Sequence, residues 1–348
     1  MPTVTYKCLS CNAALEFDPK SGQYKCGYCK SQFTEDQILQ HKTESPEETA
    51  PASEAEDSFA SNVVYNCPSC GAEVISDETT AATICVYCHN PVILSGKVDG
   101  SLKPDYILPF TIEKEKVHGM FMDWSRKKKF IQKEFLQYAK KDLINGVYYP
   151  FWVVDCEAQA GISARGEKVR RWTVGNTEYT ETEIYSIMRQ GNLQFNDITL
   201  KALDKTQVKI LDGVQPFSVP KALPFSMTYL SGFLAEKRNI EQDGAKDEMN
   251  TIVRQSSENL LRDTISGYTT VSVEDSNANI TSQDWKYSLF PVWMFTYKYK
   301  GADYYFAMNG ETGKIAGRVP LSMPKLMTLF VCLAAGITGI MLLIGSML

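Results

Sequence analysis

Helical and strand periods alternate along most of this chain. Val117, Met120, Phe121 and Trp124 recur at i, i+3, i+4 and i+7. Met249, Ile252, Val253, Leu260 and Leu261 fall on one face at the same period, so both segments are predicted to be amphipathic helices. Strand-like runs follow at YYPFWVVDCEAQAGISARG (148–166) and LFPVWMFTYKYKGADYYFAMNG (289–310), with turns expected near Gly166 and Gly310. Shorter strands are expected at YTETEIYSIM, QVKIL and YTTVSVED. From Leu326 to Leu348 the pattern changes: the run has 23 residues and no charge. A helix of that length rises far enough to cross a hydrocarbon core of about 30 Å.

The middle of the chain carries marks of duplication. Leu108-Pro109-Phe110 returns as Leu223-Pro224-Phe225, and Pro150-Phe151-Trp152 as Pro291-Val292-Trp293. Each half combines one helix with several strands, so an α+β domain of two related halves with antiparallel strands is expected over 99–322, the halves near 103–200 and 220–320. Between the N-terminal modules, residues 43–58 hold six acidic residues, two prolines, no basic residue and no large apolar one. A flexible acidic linker over 36–60 follows from that composition.

The chemistry concentrates in cysteine. Cys8, Cys11, Cys26 and Cys29 form two C-x2-C pairs separated by fourteen residues, and Cys67, Cys70, Cys85 and Cys88 repeat the spacing. Four thiolates suit a tetrahedral zinc ion, and modules of this size need the metal to fold. Two β-type zinc ribbons are therefore expected, over 1–35 and 61–98, each with one structural Zn2+. In the second, residues 72–75 and 82–85 are expected to be the two arms of a hairpin. A four-cysteine site leaves no open position for substrate, so no catalytic role is assigned; His89 stands next to Cys88 as a spare, exposed side chain. Paired thiolates are also open to oxidation, and a redox-sensing role is compatible with them.

Charge narrows the function. The net charge is −5. Residues 60–98 hold one lysine against three acids, and residues 1–42 hold five lysines against four. Phosphate binding needs several cations, so nucleic acid is not an expected partner, although a zinc-ribbon nucleic-acid regulator of primosomal or TFIIB-like type is the alternative reading. Tyr24, Tyr28, Tyr65 and Tyr87 are expected to pack against the ribbons. The densest basic run, Arg126 to Lys129 with Lys133, Lys140 and Lys141, reads as a solvated helix face or as a contact for anionic lipid. His41, His89 and His118 are the only histidines, and no G-x-S-x-G, H-E-x-x-H or P-loop sequence occurs.

No basic-then-apolar leader opens the N-terminal MPTVTYKCLSC. Lys314, Arg318 and Lys325 precede the apolar run, and positive residues stay on the cytoplasmic side. The expectation is one C-terminal transmembrane helix over 326–348, with the bulk of the protein in the cytoplasm.

Beyond these features, the second ribbon, YNCPSCGAEVISDETTAATICVYCHNPVIL, resembles that of bacterial TFIIB-type zinc-ribbon membrane proteins, and among them the YdjG type. The likeness continues through ILPF (107–110), GVYYPFWVVD (146–155), YLSGFLAE (229–236) and LFPVWMFTYKYKGADYYFAMNGETGKIAGRVP (289–320). The resemblance implies a membrane anchor working with SPFH (flotillin-like) and PspA-like partners in envelope stress. The first ribbon departs slightly, with Leu9 and Asn12 where a C-P-x-C-G knuckle has Pro and Gly. The combined reading is a non-catalytic, membrane-anchored zinc-ribbon adaptor for protein partners.

Overall fold

A computed structural model describes residues 3–43, 62–138 and 144–347. The first ribbon contains β1 (Thr3–Val4), β2 (Leu15–Asp18), β3 (Gln23–Cys26) and β4 (Gln32–Phe33), followed by α1 (Glu35–Thr43). The start of the expected linker is thus helical; its remainder, 44–60, lies outside the described residues. The second ribbon contains β5 (Asn62–Asn66), β6 (Glu73–Asp77), β7 (Thr80–Ile84) and β8 (Pro91–Leu94).

The α+β region then runs through β9 (Tyr106–Ile107), α2 (Lys114–Arg126), β10 (Ile144–Val174), β11 (Thr177–Lys201), β12 (Leu223–Pro224) and β13 (Leu234–Glu236). It continues with α3 (Gln242–Asp263), β14 (Thr270–Tyr299), β15 (Ala302–Asn309), β16 (Ile315–Gly317) and the terminal α4 (Met323–Met347). One large mixed sheet holds eleven strands, in the order β1-β8-β7-β13-β10-β14-β15-β16, with β11 on β10, β9 on β14 and β12 on β9. Its two centre strands, β10 and β14, run antiparallel from Ile144↔Phe295 to Glu167↔Thr270.

The two halves are related by this pairing. Shifting the chain by the spacing between Pro150 and Pro291 carries Tyr149 onto Phe290, and these two residues face each other across the centre of the sheet. The same shift carries Val147 and Tyr148 onto Ser288 and Leu289, and each of these pairs runs parallel to a short strand of the other half, Leu234–Ala235 and Tyr106–Ile107 respectively. The tryptophans repeat it. Trp152 Nε1 donates to Ile240 O at 2.9 Å and Trp293 Nε1 to Ile112 O at 3.1 Å, each just ahead of the other half's helix. The Pro-x-Trp marker is therefore a structural repeat. The Leu-Pro-Phe marker is not: β9 corresponds to β13, and Leu223–Pro224 instead pairs antiparallel with Tyr106–Ile107.

Helix α2 buries Val117 and Phe121, with Met120 and Trp124 packed at the edge of the core. Helix α3 buries Ala245, Met249, Val253, Ser257 and Leu261, whereas Leu260 is half exposed. Leu260 lies one residue, about 100° of turn, from the buried stripe that Leu261 closes. The segment containing QVKIL is a 3₁₀ turn (Thr206–Gly213) rather than a strand. Its buried Leu211 and the buried Val214 that caps it are three apart, the repeat of a 3₁₀ turn and not of a pleat.

Of the two expected glycine turns, the one near Gly310 is present and the one near Gly166 is not. Gly166 lies within β10, which continues to a turn at Gly175. A Cβ at Gly166 would stand 2.6 Å from atoms of both Ile187 and Tyr268, so glycine there permits close packing, not a turn. The run 289–310 is broken by a two-residue hairpin at Lys300-Gly301, both at positive φ. The expected turn after Asn309 is present, held by Asn309 Oδ1, which accepts from Glu311 N and Thr312 N.

Helix α4 adds nothing to this core. None of the Met323–Met341 window is buried inside the molecule, which excludes a core helix. Its base is nonetheless fixed. Ile131 and Leu321 form a β-bridge, Gln132 N donates to Pro320 O at 3.1 Å and Ser322 N to Phe130 O at 2.7 Å. Lys325 Nζ donates to Ile131 O at 3.0 Å.

Candidate metal centres

Each C-x2-C pair sits on the same backbone turn. In the first knuckle, Asn12 N donates to Cys8 O and Cys8 N to Ala13 O. The other three repeat the pattern: Lys30 to Cys26 with Cys26 to Ser31, Gly71 to Cys67 with Cys67 to Ala72, and His89 to Cys85 with Cys85 to Asn90. Asn12, Lys30, Gly71 and His89 all have φ between 58° and 74°. That left-handed residue closes the loop and turns both sulfurs inward; glycine adopts it freely, asparagine with modest cost. The position after Cys11 therefore keeps its geometry with Asn in place of Gly. The exposed His89 has the same backbone role.

The eight expected cysteines come together in two groups of four, with the sulfurs of each group within 4.8 Å of one another. Cys8–Cys29 and Cys11–Cys26 are 3.5 Å apart, Cys67–Cys88 3.6 Å and Cys70–Cys85 3.8 Å. A tetrahedron with Zn–S bonds of about 2.3 Å places sulfurs about 3.8 Å apart, so both groups fit zinc without rearrangement. The Ser31 hydroxyl and backbone hold the Cys29 thiol down to about 6, while burial and neighbouring sulfurs push Cys88 up to about 12. A divalent cation at the centre would favour the thiolate at every position. The remaining cysteines lie apart: Cys156 is buried in β10, its thiol raised by burial and by Asp155, and Cys332 lies in α4.

The second ribbon is not the self-contained hairpin expected from its sequence. β6 pairs with β5 in a separate two-stranded sheet, while β7 pairs with β8 and, through Ala82↔Ala235, with β13 of the large sheet. Its two arms part because β7, with Ala81 and Ala82 fully buried, presents small side chains to a partner strand about 150 residues away. Around this joint Lys205 Nζ reaches Glu236 at 2.9 Å and Asp77 at 3.3 Å, and Thr79 Oγ1 donates to Glu236 at 2.7 Å. Lys97, the ribbon's single lysine, is buried and donates to Asp77 O at 2.9 Å. It cannot face a phosphate.

The first ribbon docks through Phe17 N, which donates to Ser231 O at 3.0 Å, and through Ser231 Oγ, which donates to Leu15 O. Gly232, at φ +88°, lies 3.1 Å from Glu16 as measured from a hypothetical Cβ. Residues 228–232 were not anticipated as a docking site. Their sequence signal is the Ser231-Gly232 pair, a polar residue followed by one able to take positive φ. Among the tyrosines, Tyr24 and Tyr65 are buried, but Tyr28 and Tyr87 are exposed at equivalent knuckle positions. Each lies between the cysteines of a pair, on the outside of a tight turn, where no hairpin surface is available to cover it.

Comparison with known proteins places the chain beside YdjG of Bacillus subtilis (strain 168), a protein described as uncharacterized, at 30% identity over 337 residues. The match covers 96% of this chain and 95% of that one. No family model matches the chain, and no solved structure does.

Proposed function

This chain belongs to the YdjG family, and we propose that it is a non-catalytic, membrane-anchored adaptor whose zinc ribbons and sheet bind other proteins in the cytoplasm. The observation that carries the reading is α4, a 25-residue apolar helix that contributes nothing to the core yet is hydrogen-bonded at its base to the folded region. Lys314, Arg318 and Lys325 flank that base, which favours a cytoplasmic location for the sheet and ribbons. The closed four-sulfur sets supply rigidity and not an open coordination site.

The partners in this proposal are SPFH (flotillin-like) or PspA-like proteins of envelope stress, as the family resemblance implies. Exposed apolar side chains supply contact points: Ile184 and Met188 on β11, with Tyr28 and Tyr87 at the knuckles. Photo-crosslinkers placed at Ile184, Met188 and Tyr87 in native membranes should yield discrete adducts with such a partner. Ile184→Asp should remove the adducts formed from Met188, its exposed neighbour on β11, without changing zinc content. Absence of any discrete adduct from all three positions would reject the adaptor reading. Release of the chain from membranes by alkaline carbonate would reject the anchor.

A further inference from the structure

The basic run after α2 is placed by the fold in a way its sequence did not reveal. Helix α2 ends at Arg126, so Lys127, Lys128 and Lys129 lie in the turn beyond it and not on a helix face. All three are exposed, and among the described residues none has an ion-pair partner. The same loop clamps the base of α4. Ile131 is bridged to Leu321, two residues before α4 begins, and Lys325 donates to Ile131 O. Chain geometry keeps Lys129 within about 7 Å of Ile131. The cations therefore stand within about a Debye length of the point where α4 leaves the folded region.

Nearby charges do not neutralise the loop. Asp123 pairs with Arg126 at 3.4 Å, and Glu134 with Lys300 at 3.6 Å. Trp124 lies under Lys128, whose Nζ is 4.5 Å from the ring centroid. An indole beside cations is the combination found where protein meets a headgroup layer. The helix dipole offers a competing account, since cations stabilise helix C-termini, but its effect is confined to the last turn, where Arg126 stands.

We propose that Lys127, Lys128 and Lys129, with Trp124, form a contact surface for anionic phospholipid headgroups at the membrane face from which α4 enters. The inference rests on α4 spanning a membrane, so its test must separate the two. The full chain is assembled into discs of phosphatidylcholine alone and into discs containing phosphatidylglycerol, and lysine acylation by a water-soluble reagent is followed by mass spectrometry. Lys128 should react several-fold more slowly in the anionic discs, while Lys25 on the first ribbon reacts equally in both. Salt at about 1 M, where the Debye length falls to about 3 Å, should erase the difference. In Lys127→Gln/Lys129→Gln the protection of Lys128 should weaken, each lost cation reducing the attraction about five-fold.

Equal reactivity of Lys128 in the two discs, whether fast or slow, would overturn the lipid contact while leaving the anchor intact. Failure of the chain to assemble even into neutral discs would overturn the anchor, and the lipid contact with it.

Discussion

Tyr24 and Thr228 share a buried hydrogen bond across 204 residues of chain, the phenol donating to Thr228 Oγ1 at 2.8 Å. Thr228 in turn donates to Glu35 at 2.7 Å, so one threonine joins the metal ribbon, the helix after it and the sheet domain. Tyr24→Phe removes the first link and leaves the second. The expected cost is about 1 kcal/mol, felt in ribbon docking. Hydrogen exchange should rise in residues 13–33 and stay unchanged in β10 and β14.

The two metal sites should fail differently. Cys8→Ser/Cys11→Ser and Cys67→Ser/Cys70→Ser should each lower zinc content from two ions per chain to one, as read by atomic absorption. The first leaves the Ala82↔Ala235 pairing intact and should produce a separate early unfolding transition. The second releases β7 from β13, so the main transition itself should shift to lower temperature.

Lys97 predicts a pH dependence. Burial, helped by the nearby Lys237, lowers its pKa to about 8, against the opposing pull of Glu78, Glu236 and Asp77. Below about 8 the buried lysine is charged in the folded chain and its penalty is fully present. Between about 8 and the unfolded value of 10.5, the unfolded state binds more protons, so this group's contribution to stability rises with pH. Denaturant midpoints compared across pH 8 to 10.5 should show the wild type gaining on Lys97→Met as the pH rises.

Gly146 faces two packed rings. A Cβ there would stand 2.6 Å from Phe233 Cδ1 and 3.0 Å from Trp293 Cζ3. Phe233 is stacked on Phe110 at 4.3 Å, and Trp293 is tied to Ile112 O. Gly146→Ala should destabilise the domain by about 1–3 kcal/mol, measurable as a lowered urea midpoint with zinc content unchanged.

Local spacing made the cysteine groups, the α2 face, the Pro-x-Trp repeat and the apolar C-terminal helix legible in the sequence. Each of these is set by neighbours within a few turns of chain. What escaped was decided at long range. The second ribbon resembled a hairpin because nothing near Ala82 announces its pairing with Ala235. β10 looked finished at Gly166 because the alternation gives way to charged residues. Those charges are matched on the neighbouring strand, Lys168 opposite Glu183 and Arg170 opposite Glu181, so the ladder continues without a buried face. Nothing beside Lys97 in the sequence announces that it is buried, since its ammonium donates to Asp77 O on β6.

Strand β14, 30 residues long, ends at Tyr299, whose hydroxyl donates to Gln132 Oε1 at 2.7 Å beside the α4 clamp, and begins at Thr270, opposite Glu167. At about 3.3 Å per residue, that is about 100 Å along the strand. The Trp172·Tyr179 pair lies farther out still, on the same arm. The arm is thus a ruler with graduations set by its hydrogen-bond ladder. Removing one residue pair from each strand would shorten it by about 7 Å and preserve which side chains face outward, whereas removing a single residue would exchange its two faces.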